Sequence, residues 1–477
     1  MGDTSRRATE PALTHWRSPA ELSRVILRLA LPVTATNILQ ALIGFVDVRM
    51  ISVLGSEALA SLSVGRQSIW LVSAVFLGLG TGITAHVARF TGARDHTRAR
   101  AYATIGVITA LVIGVLATAI GLAIGGRPVM FMVSSEVPGT DSAAIALTRQ
   151  YAWDYLRVIF IGLAGMGAQF AVVSIFNSLG RTIYPMWLLI VANVANFIGN
   201  WLLIGPYKVA GCALSTILTS MLVTAVAIAL LNRQRAVRWD ASILEAPLRR
   251  AWEMLRIGIP GMLQVMVRSL AGLTLIKLIT FLPNSVVGQS ALVVGLMAES
   301  LAFMPAFAFS IAAATLTGQN LGARRPDQAR VSALYCLLFS EVIMWGTGSL
   351  LFFFPQWFIV LFTGGNAPDV VDAATGFLRI IALCLPGLGV GMTMYGVLRG
   401  SGDTLAAALM TLTAMWFVRI PLAAFMALEN ILGTGVGLGL GLDGVWWAMT
   451  ISVYVEATMV FLRFRSGRWA RIKLAEV

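Results

Sequence analysis

The chain has 477 residues, of which 58% are hydrophobic and 12% are charged, and its formal net charge is +13. Because soluble globular proteins carry about 25% charged residues, this composition excludes a soluble domain and indicates a polytopic membrane protein. The basic residues lie in short segments between apolar runs, without an interleaved aromatic face, so nucleic acid is excluded as a partner. The three cysteines and three histidines show neither a disulfide framework nor metal-ligand spacing.

About twelve apolar runs follow a polar segment at residues 1–27, which lacks the apolar core of a removable signal peptide. Each run reaches the ~20 residues that cross the hydrocarbon core of a bilayer at a rise of about 1.5 Å per residue. The runs lie near residues 28–53, 65–90, 101–125, 151–177, 184–205, 209–231, 255–282, 286–316, 331–354, 376–398, 405–428 and 443–463. The sequence therefore predicts an all-α polytopic membrane protein with about twelve transmembrane helices.

The order of the runs predicts two six-helix lobes, at residues 28–231 and 255–463. An arginine-rich cytoplasmic linker at residues 232–254 separates them, and a basic cytoplasmic tail follows at residues 464–477. Arginine is abundant in the linker, the tail and every second loop, and the positive-inside rule places these segments in the cytoplasm. The loops on the other side carry few basic residues, namely Arg66, Arg127, Arg149 and Lys208. We therefore expect an integral protein of a bacterial inner (plasma) membrane with both termini in the cytoplasm.

Three short motifs recur in the two lobes at nearly constant spacing. The pairs are residues 29–32 with 257–260, 92–95 with 322–325, and 179–182 with 401–404, at offsets of 228, 230 and 222 residues. Since each repeat holds an even number of helices, both repeats insert in the same orientation. Such repeats predict a pseudo-two-fold axis along the membrane normal, and alternating access by rocking one lobe against the other.

The first predicted helix carries a polar stripe. Asn37, Gln40, Gly44 and Asp47 are spaced by three and four residues and therefore share one face of a helix. A carboxylate near the middle of a span costs about 2.5–3.5 kcal/mol on insertion scales, so Asp47 must face protein or a water-filled cavity. Such acids usually mark ion or substrate pathways. The alternative is an acid that only pairs with a neighbouring helix.

The fifth predicted helix carries a second stripe, because Asn193, Asn196 and Asn200 are also spaced by three and four residues. Amides within a membrane need polar partners, and facing Asp47 they would complete a small oxygen-rich site inside this lobe. The residues predicted to form this ion site are Asp47, Asn196 and Asn200. The side chains predicted to line the substrate cavity are Asn37, Gln40, Gln169, Asn193, Met304 and Phe307. The alternative is that the amides only hold helices together.

The second lobe holds ionisable residues of both signs within its apolar runs. They are Arg268, Lys277, Glu299, Glu341, Arg419 and Glu456. Glu299 is the candidate coupling residue of this lobe, with internal ion pairing as the alternative. Arg268, Lys277 and Arg419 are interpreted as counter-charges rather than ligands. For Glu341 and Glu456 both a functional and a structural role stay open. No phosphate-binding loop, paired catalytic groups or metal motif is found, which favours a protein that is not an enzyme and needs no cofactor.

Several stretches together resemble the multidrug and toxic compound extrusion (MATE) family. They are Pro32 with GFVD at 44–47, ALASLSVG at 58–65, TGAR at 91–94, NSLGRT at 177–182, NFIGNWLLIG at 196–205, TGQNLGARRPDQA at 317–329, LRGSGDT at 398–404 and FRSGRW at 464–469. The resemblance covers nearly the whole chain. It implies a twelve-helix, two-lobe exporter that exchanges cationic drugs or toxins for sodium ions or protons.

The resemblance also implies roles for individual residues. Asp47 matches the first-helix acid of the family, and Asn196 and Asn200 match a fifth-helix pair whose second member is an aspartate in some relatives. One sodium-coupled branch carries acids at the positions of Arg268 and Leu388. The sodium site of that branch is therefore not expected here, and Glu299 is the candidate acid of the second lobe.

The predicted function is secondary active export of small organic cations by a monomer in contact with membrane lipid. Asp47 would alternate between the coupling ion and the drug, because one site that cannot hold both cations is sufficient for antiport. Within transport, the alternative is a flippase for lipid-linked precursors. Two further alternatives are a passive channel and an intramembrane enzyme, and the absence of paired catalytic groups argues against the enzyme.

Overall fold

The computed structural model describes residues 16, 18–132, 142–234, 236, 246–283, 285–363, 368–430, 437–472 and 474. Parts of the predicted N-terminal segment at 1–27, of the linker at 232–254 and of the tail at 464–477 lie outside these residues.

Helices make up nearly all of the described chain. They are α1 (Pro19–Ile51), α2 (Ser56–Gly92), α3 (His96–Ile124), α4 (Arg127–Met132), α5 (Ser142–Ser178), α6 (Ile183–Arg233), α7 (Pro247–Ile279), α8 (Ser285–Gly322), α9 (Pro326–Phe353), α10 (Pro355–Thr363), α11 (Pro368–Ser401), α12 (Thr404–Leu412), α13 (Ile420–Ala427) and α14 (Gly441–Arg465). A π-helical segment, Thr413–Arg419, joins α12 to α13. Short 3-10 turns lie at Ser52–Leu54 and Arg468–Arg471.

Within the described residues, eleven helical stretches are long and apolar enough to cross a membrane. One of them, α6, has 51 residues and is interrupted at Lys208, where φ is 51° and ψ is −130°. Pro206 lies two residues earlier and removes a backbone donor, which favours a break at this point. Counted as two parts, α6 raises the number of spanning segments to twelve, and the predicted fold class is confirmed.

Several helices extend beyond the apolar runs that predicted them. Helix α7 begins at Pro247 rather than near residue 255, because Glu253 accepts hydrogen bonds from Arg249 on its own helix and from the Tyr102 hydroxyl on α3. Helix α2 likewise begins at Ser56, so Arg66 lies within this helix and not in the loop expected from hydropathy. Hydropathy marks the apolar part of a helix, and at the start of α7 polar pairs accompany the extension of the helix past it.

The chain divides into two compact units. The C-terminal unit comprises Met1–Thr34, Thr91–Arg94 and Leu263–Val477, and the N-terminal unit comprises Ala35–Phe90 and Asp95–Met262. The first helix of each repeat is therefore shared between the two units.

In the first helix of each repeat, the boundary between the two units lies just after one of the matched prolines. Pro32 lies inside α1 two residues before the division, and Pro260 lies inside α7 two residues before its own. The start of α1, including Leu22, is buried in the core of the C-terminal unit with Phe309. The start of α7, through Met254, is buried in the core of the N-terminal unit. The first repeat thus contributes the start of α1 to the core of the C-terminal unit. The second repeat contributes the start of α7 to the core of the N-terminal unit.

The repeat is also visible in backbone conformation. Arg94 and Arg324 occupy matched loop positions and both have a left-handed φ, of 60° and 58°. Gly180 and Gly402 occupy another matched pair, with φ values of 72° and 88°. Left-handed backbone at equivalent positions shows that the sequence repeat is a structural repeat.

Part of the predicted basic tail folds back onto its own helix. Trp469 is buried, its ring stacks on Phe464 at a centroid distance of 5.7 Å, and its Nε1 donates to the Phe464 carbonyl oxygen at 2.9 Å. Both rings belong to the core of the C-terminal unit.

Candidate functional site

Asp47 and Asn200 meet in the N-terminal unit although 153 residues separate them. The Asn200 Nδ2 donates to Asp47 Oδ1 at 2.7 Å. Asp47 comes from α1 and Asn200 from the first part of α6. The polar stripes predicted on the first and fifth helices therefore face each other at these two residues, within protein rather than lipid.

A chain of amides and hydroxyls continues from this contact. The Asn200 Nδ2 also donates to Asn196 Oδ1 at 3.2 Å, and the Asn196 Nδ2 lies 3.3 Å from Thr216 Oγ1 and 3.5 Å from Ser215 Oγ. Asn196 and Asn200 are both buried. Because the two Asn200 donors are occupied by these oxygens, the orientation of its amide is fixed. Its Oδ1 is left as a buried acceptor that bonds to none of the described residues.

The break at Lys208 creates this arrangement. A straight helix would separate Asn196 from Ser215 by nearly 30 Å, at about 1.5 Å per residue, yet their side chains are in contact. The second part of α6 therefore runs back along the first. A side-chain carbon on Gly199 would meet Ser215, and one on Gly211 would meet the backbone of Leu203, so both glycines permit this close approach.

Three neighbours of Asp47 were missed by the sequence analysis. The Cys212 thiol lies close to the Asp47 carboxylate. Arg66 and Tyr155 lie close enough to interact with it electrostatically. Arg66 Nη1 also approaches the Gly44 carbonyl oxygen at 3.4 Å. The signal in the sequence was the position of Arg66 at the start of the apolar run predicted at residues 65–90.

The other predicted cavity residues of the N-terminal half are Asn193, Gln40, Asn37 and Gln169. The Asn193 Nδ2 donates to Leu189 O of its own helix at 2.9 Å. Gln40 is exposed, and Asn37 and Gln169 are half-buried. Among the residues of the two predicted stripes, Asp47, Asn200 and Asn196 are joined by hydrogen bonds.

A second polar network lies in the C-terminal unit around Glu456 of α14. The Glu456 Oε1 accepts hydrogen bonds from Arg268 Nη2 at 2.7 Å, from the Tyr395 hydroxyl at 2.7 Å and from Thr411 Oγ1 at 2.9 Å. Gln264 Nε2 donates to Thr411 Oγ1 at 3.0 Å. Arg268 therefore pairs with Glu456, as a counter-charge would. Gln264 and Arg268 are four residues apart on α7, and this spacing was the signal that would have revealed their shared face.

Glu299 lies close to this network but outside its hydrogen bonds. It interacts electrostatically with Arg419 and Arg268, and neither arginine forms an ion pair with it within 4 Å in the described chain. Arg419 Nε instead donates to Ser452 Oγ at 2.8 Å. Arg419 ends the π-helical segment, a type of distortion that occurs frequently at functional sites.

The remaining predicted residues of this unit lie on neighbouring helices. Met304 and Phe307 are half-buried on α8, five and eight residues beyond Glu299. Glu341 on α9 is half-buried, and its Oε1 bonds to none of the described residues. Lys277, near the end of α7, is exposed with its Nζ 5.5 Å from the centre of the Phe281 ring. Among the described residues, no group of three or more His, Cys, Asp or Glu is arranged to hold a metal ion.

Comparison with known proteins identifies the family. The MatE family model matches residues 32–202 and 260–425, one segment in each repeat. A probable multidrug resistance protein NorM of Thermotoga maritima is 26% identical, over 94% of this chain and 94% of the relative. A probable multidrug resistance protein NorM of Pseudomonas aeruginosa is 27% identical, over 92% of this chain and 88% of the relative. A crystal structure of MATE in complex with MaL6 has a TM-score of 0.84 at 22% identity, and the match covers 95% of this chain and 97% of that one. The resemblance is confirmed: this integral membrane protein belongs to the MatE family of multidrug and toxic compound extrusion transporters.

Proposed function

We propose that the protein is a secondary active exporter that exchanges small organic cations, drugs and toxins among them, for H+ or Na+ by alternating access. The naming of two relatives as probable multidrug resistance proteins supports drugs as substrates. The observation that carries the proposal is the 2.7 Å hydrogen bond between Asn200 and Asp47. The proposal includes a monomer in the plasma membrane, with both termini in the cytoplasm and no cofactor beyond the coupling ion.

Asp47 supplies the charge for exchange. A bare carboxylate inside a membrane protein is costly, so it keeps a proton, a metal cation or an organic cation as its partner. Arg66 lies nearby without forming an ion pair within 4 Å in the described chain, and it therefore leaves the carboxylate available to a mobile cation.

The surrounding oxygens suit a small cation. Na+ is a hard ion that prefers carboxylate, amide and hydroxyl oxygens, as other hard cations do. The unpaired buried Oδ1 of Asn200 is one such oxygen beside the Asp47 carboxylate. A proton would need only the carboxylate itself. We therefore propose Asp47 and Asn200 as ion-binding groups, with Asn196 fixing the Asn200 amide.

Exchange follows from competition for one charge. If the carboxylate holds either the coupling ion or the organic cation, binding of one displaces the other, and the two affinities are coupled reciprocally. A one-for-one exchange of monovalent cations moves no net charge across the membrane, so it draws on the concentration gradient alone.

Glu299 is the second proposed coupling residue. Its two charged neighbours, Arg268 and Arg419, are positive and oppose the binding of a cation. The proposal therefore gives the main coupling role to Asp47. Loss of transport in Glu299→Gln with full transport in Asp47→Asn would reverse this order.

Transport in proteoliposomes tests the proposal. The full chain is reconstituted, and uptake of a fluorescent organic cation is measured under separately imposed proton and sodium gradients. We expect Asp47→Asn to lower the uptake rate at least about tenfold, because a charge-assisted contact worth about 1.5–3 kcal/mol is lost. The gradient that drives uptake identifies the coupling ion.

The matched control is Asp95→Asn. Asp95 caps α3 by accepting from the Arg98 backbone N at 2.9 Å, and asparagine caps helices equally well. This variant should transport at the wild-type rate. Wild-type transport by Asp47→Asn would remove Asp47 from the mechanism. Uptake that an ionophore does not abolish would indicate a channel, and activity only on a fluorescent lipid-linked precursor would indicate a flippase.

A further inference from the structure

The guanidinium of Arg66 lies over Gly44, one turn before Asp47. Its Nη1 approaches the Gly44 carbonyl oxygen at 3.4 Å, and a Cβ atom added at Gly44 would lie 2.7 Å from its Nη2. Arg66 belongs to α2, whereas Gly44 and Asp47 belong to α1. The absence of a side chain at Gly44 therefore provides the space in which the guanidinium lies.

Helix geometry brings this guanidinium close to the Asp47 carboxylate. Residues three apart on a helix share a face, with Cβ positions about 5–6 Å apart. The side chain of a helical residue also leans toward the N-terminus of its helix, so Asp47 leans toward the turn that contains Gly44. Arg66 accordingly acts electrostatically on Asp47, although the two residues form no ion pair within 4 Å in the described chain.

The same guanidinium acts on two other side chains of this site. It interacts electrostatically with Tyr155 of α5 and with Cys212 in the second part of α6, and Asp47 interacts with both of them as well. Segments of α1, α2, α5 and α6 thus place one negative and one positive side chain beside the same small site.

The two charges stay apart because each has a neutral partner of its own. Arg66 holds the Gly44 carbonyl oxygen, and Asp47 accepts from the Asn200 amide. An arginine paired directly with Asp47 would close the site to other cations. In the observed arrangement the carboxylate remains available to one mobile cation, while the guanidinium stays beside it as a fixed positive charge.

This arrangement makes the number of charges on the ligand decisive. One positive charge on an organic cation neutralises Asp47. A second positive charge on the same ligand finds no second carboxylate among the described residues that act on Asp47, and it meets the repulsion of Arg66. A like charge placed beside the site is a means of rejecting one ligand in favour of another.

We propose that Arg66 is a specificity-determining residue that restricts the Asp47 site to organic cations with a single positive charge. This inference rests on the proposed function in that the ligand is the transported cation, and it names the charge class of that substrate. The glycine of the predicted polar stripe has its role in the same geometry, because a side chain at Gly44 would displace the guanidinium from α1.

Two biaryl cations of the same shape test the selectivity. Methyl viologen carries two positive ring nitrogens, and N-methyl-p-tolylpyridinium has a carbon in place of one of them. Isothermal titration calorimetry with the purified full chain in detergent, at low salt, gives both affinities. We expect the wild type to bind the monocation more tightly. Arg66→Gln should shift the ratio of the two affinities about tenfold toward the dication, because the repulsion of its second charge is removed.

Three further variants separate charge selectivity from a structural role. Arg66→Lys keeps the positive charge and should keep the wild-type ratio. Gly44→Ala retains Arg66 but places a methyl group where the guanidinium lies, so it should shift the ratio in the same direction as Arg66→Gln. Arg49→Gln removes an exposed arginine of α1 on a different face from Asp47 and should leave the ratio unchanged. If Arg66→Gln fails to fold, Gly44→Ala decides.

Tighter binding of the dication by the wild type, or an unchanged ratio in the folded Arg66→Gln and Gly44→Ala proteins, would overturn the proposal. An equal shift in Arg49→Gln would do the same. Failure of the exporter proposal looks different. In that case wild-type proteoliposomes would accumulate neither cation under any imposed gradient, while the preference for the monocation, and its dependence on Arg66, would persist in the binding assay.

Discussion

Asp403 accepts two hydrogen bonds from Arg463, at 2.8 Å to Nε and 3.2 Å to Nη2. The contact ties the loop before α12 to the end of α14. The matched loop of the first repeat holds Arg181, which donates to Gln234 just after the end of α6. The two repeats thus close the same loop onto the end of their last helix, with the charge at the matched position inverted.

This ion pair should contribute strongly to stability. Asp403 is buried, so Arg463→Gln leaves a carboxylate with weaker partners, and we expect a loss of about 2–4 kcal/mol in the free energy of unfolding. Thermal unfolding of the purified protein in detergent measures it. Arg465→Gln, two residues later at an exposed position, should change stability by less than about 0.5 kcal/mol. Equal effects of the two substitutions would show that the pair contributes little.

The left-handed backbone at Arg324 predicts that glycine is more stable than alanine at this position, which is the reverse of their order within a helix. Because φ is 58° there, a Cβ atom is strained by about 1–2 kcal/mol, and Arg324→Gly should be more stable than Arg324→Ala. At Arg330, an exposed position within α9, alanine should be the more stable residue by about 1 kcal/mol. The midpoints of thermal unfolding of the glycine and alanine variants at both positions test this reversal. If alanine is the more stable residue at both positions, the left-handed conformation at Arg324 is contradicted.

Close helix packing in the C-terminal unit depends on particular glycines. A Cβ at Gly396 of α11 would overlap the backbone of Ser310, whereas a Cβ at Gly391 of the same helix would meet nothing within 4 Å. We expect Gly396→Ala to destabilise the protein by about 1–3 kcal/mol through overpacking. Gly391→Ala should be neutral or slightly stabilising, by up to about 1 kcal/mol. Thermal unfolding of both variants decides, and an intact Gly396→Ala protein would mean that these helices separate at little cost.

Local periodicity was sufficient to predict part of the site. The four-residue spacing of Asn196 and Asn200 fixes their shared face, and an apolar helix forces Asp47 toward protein, so their contact follows from helix geometry and desolvation. The spanning segments and the repeat follow from hydropathy and motif spacing in the same way.

Other contacts depend on tertiary packing and were not predictable. Cys212 reaches Asp47 because α6 folds back at Lys208, and Glu456 meets Arg268 across 188 residues. Nothing in a single sequence specifies which buried arginine pairs with which glutamate. The division of the two first helices between the units likewise depends on packing on either side of Pro32 and Pro260.

Two asparagines of the predicted stripe should differ in function. The Asn200 amide bonds Asp47 and presents its free Oδ1 beside the carboxylate, whereas the Asn193 amide bonds its own helix at Leu189. We expect Asn200→Ala to lower proteoliposome transport at least about tenfold, since a charge-assisted hydrogen bond and an oxygen beside the carboxylate are lost together. Asn193→Ala should transport within about twofold of the wild type, because an exchange of a local backbone contact is worth only a few tenths of a kcal/mol. If both variants transport alike, the Asp47–Asn200 contact has only a packing role, and the ion must bind elsewhere in the chain.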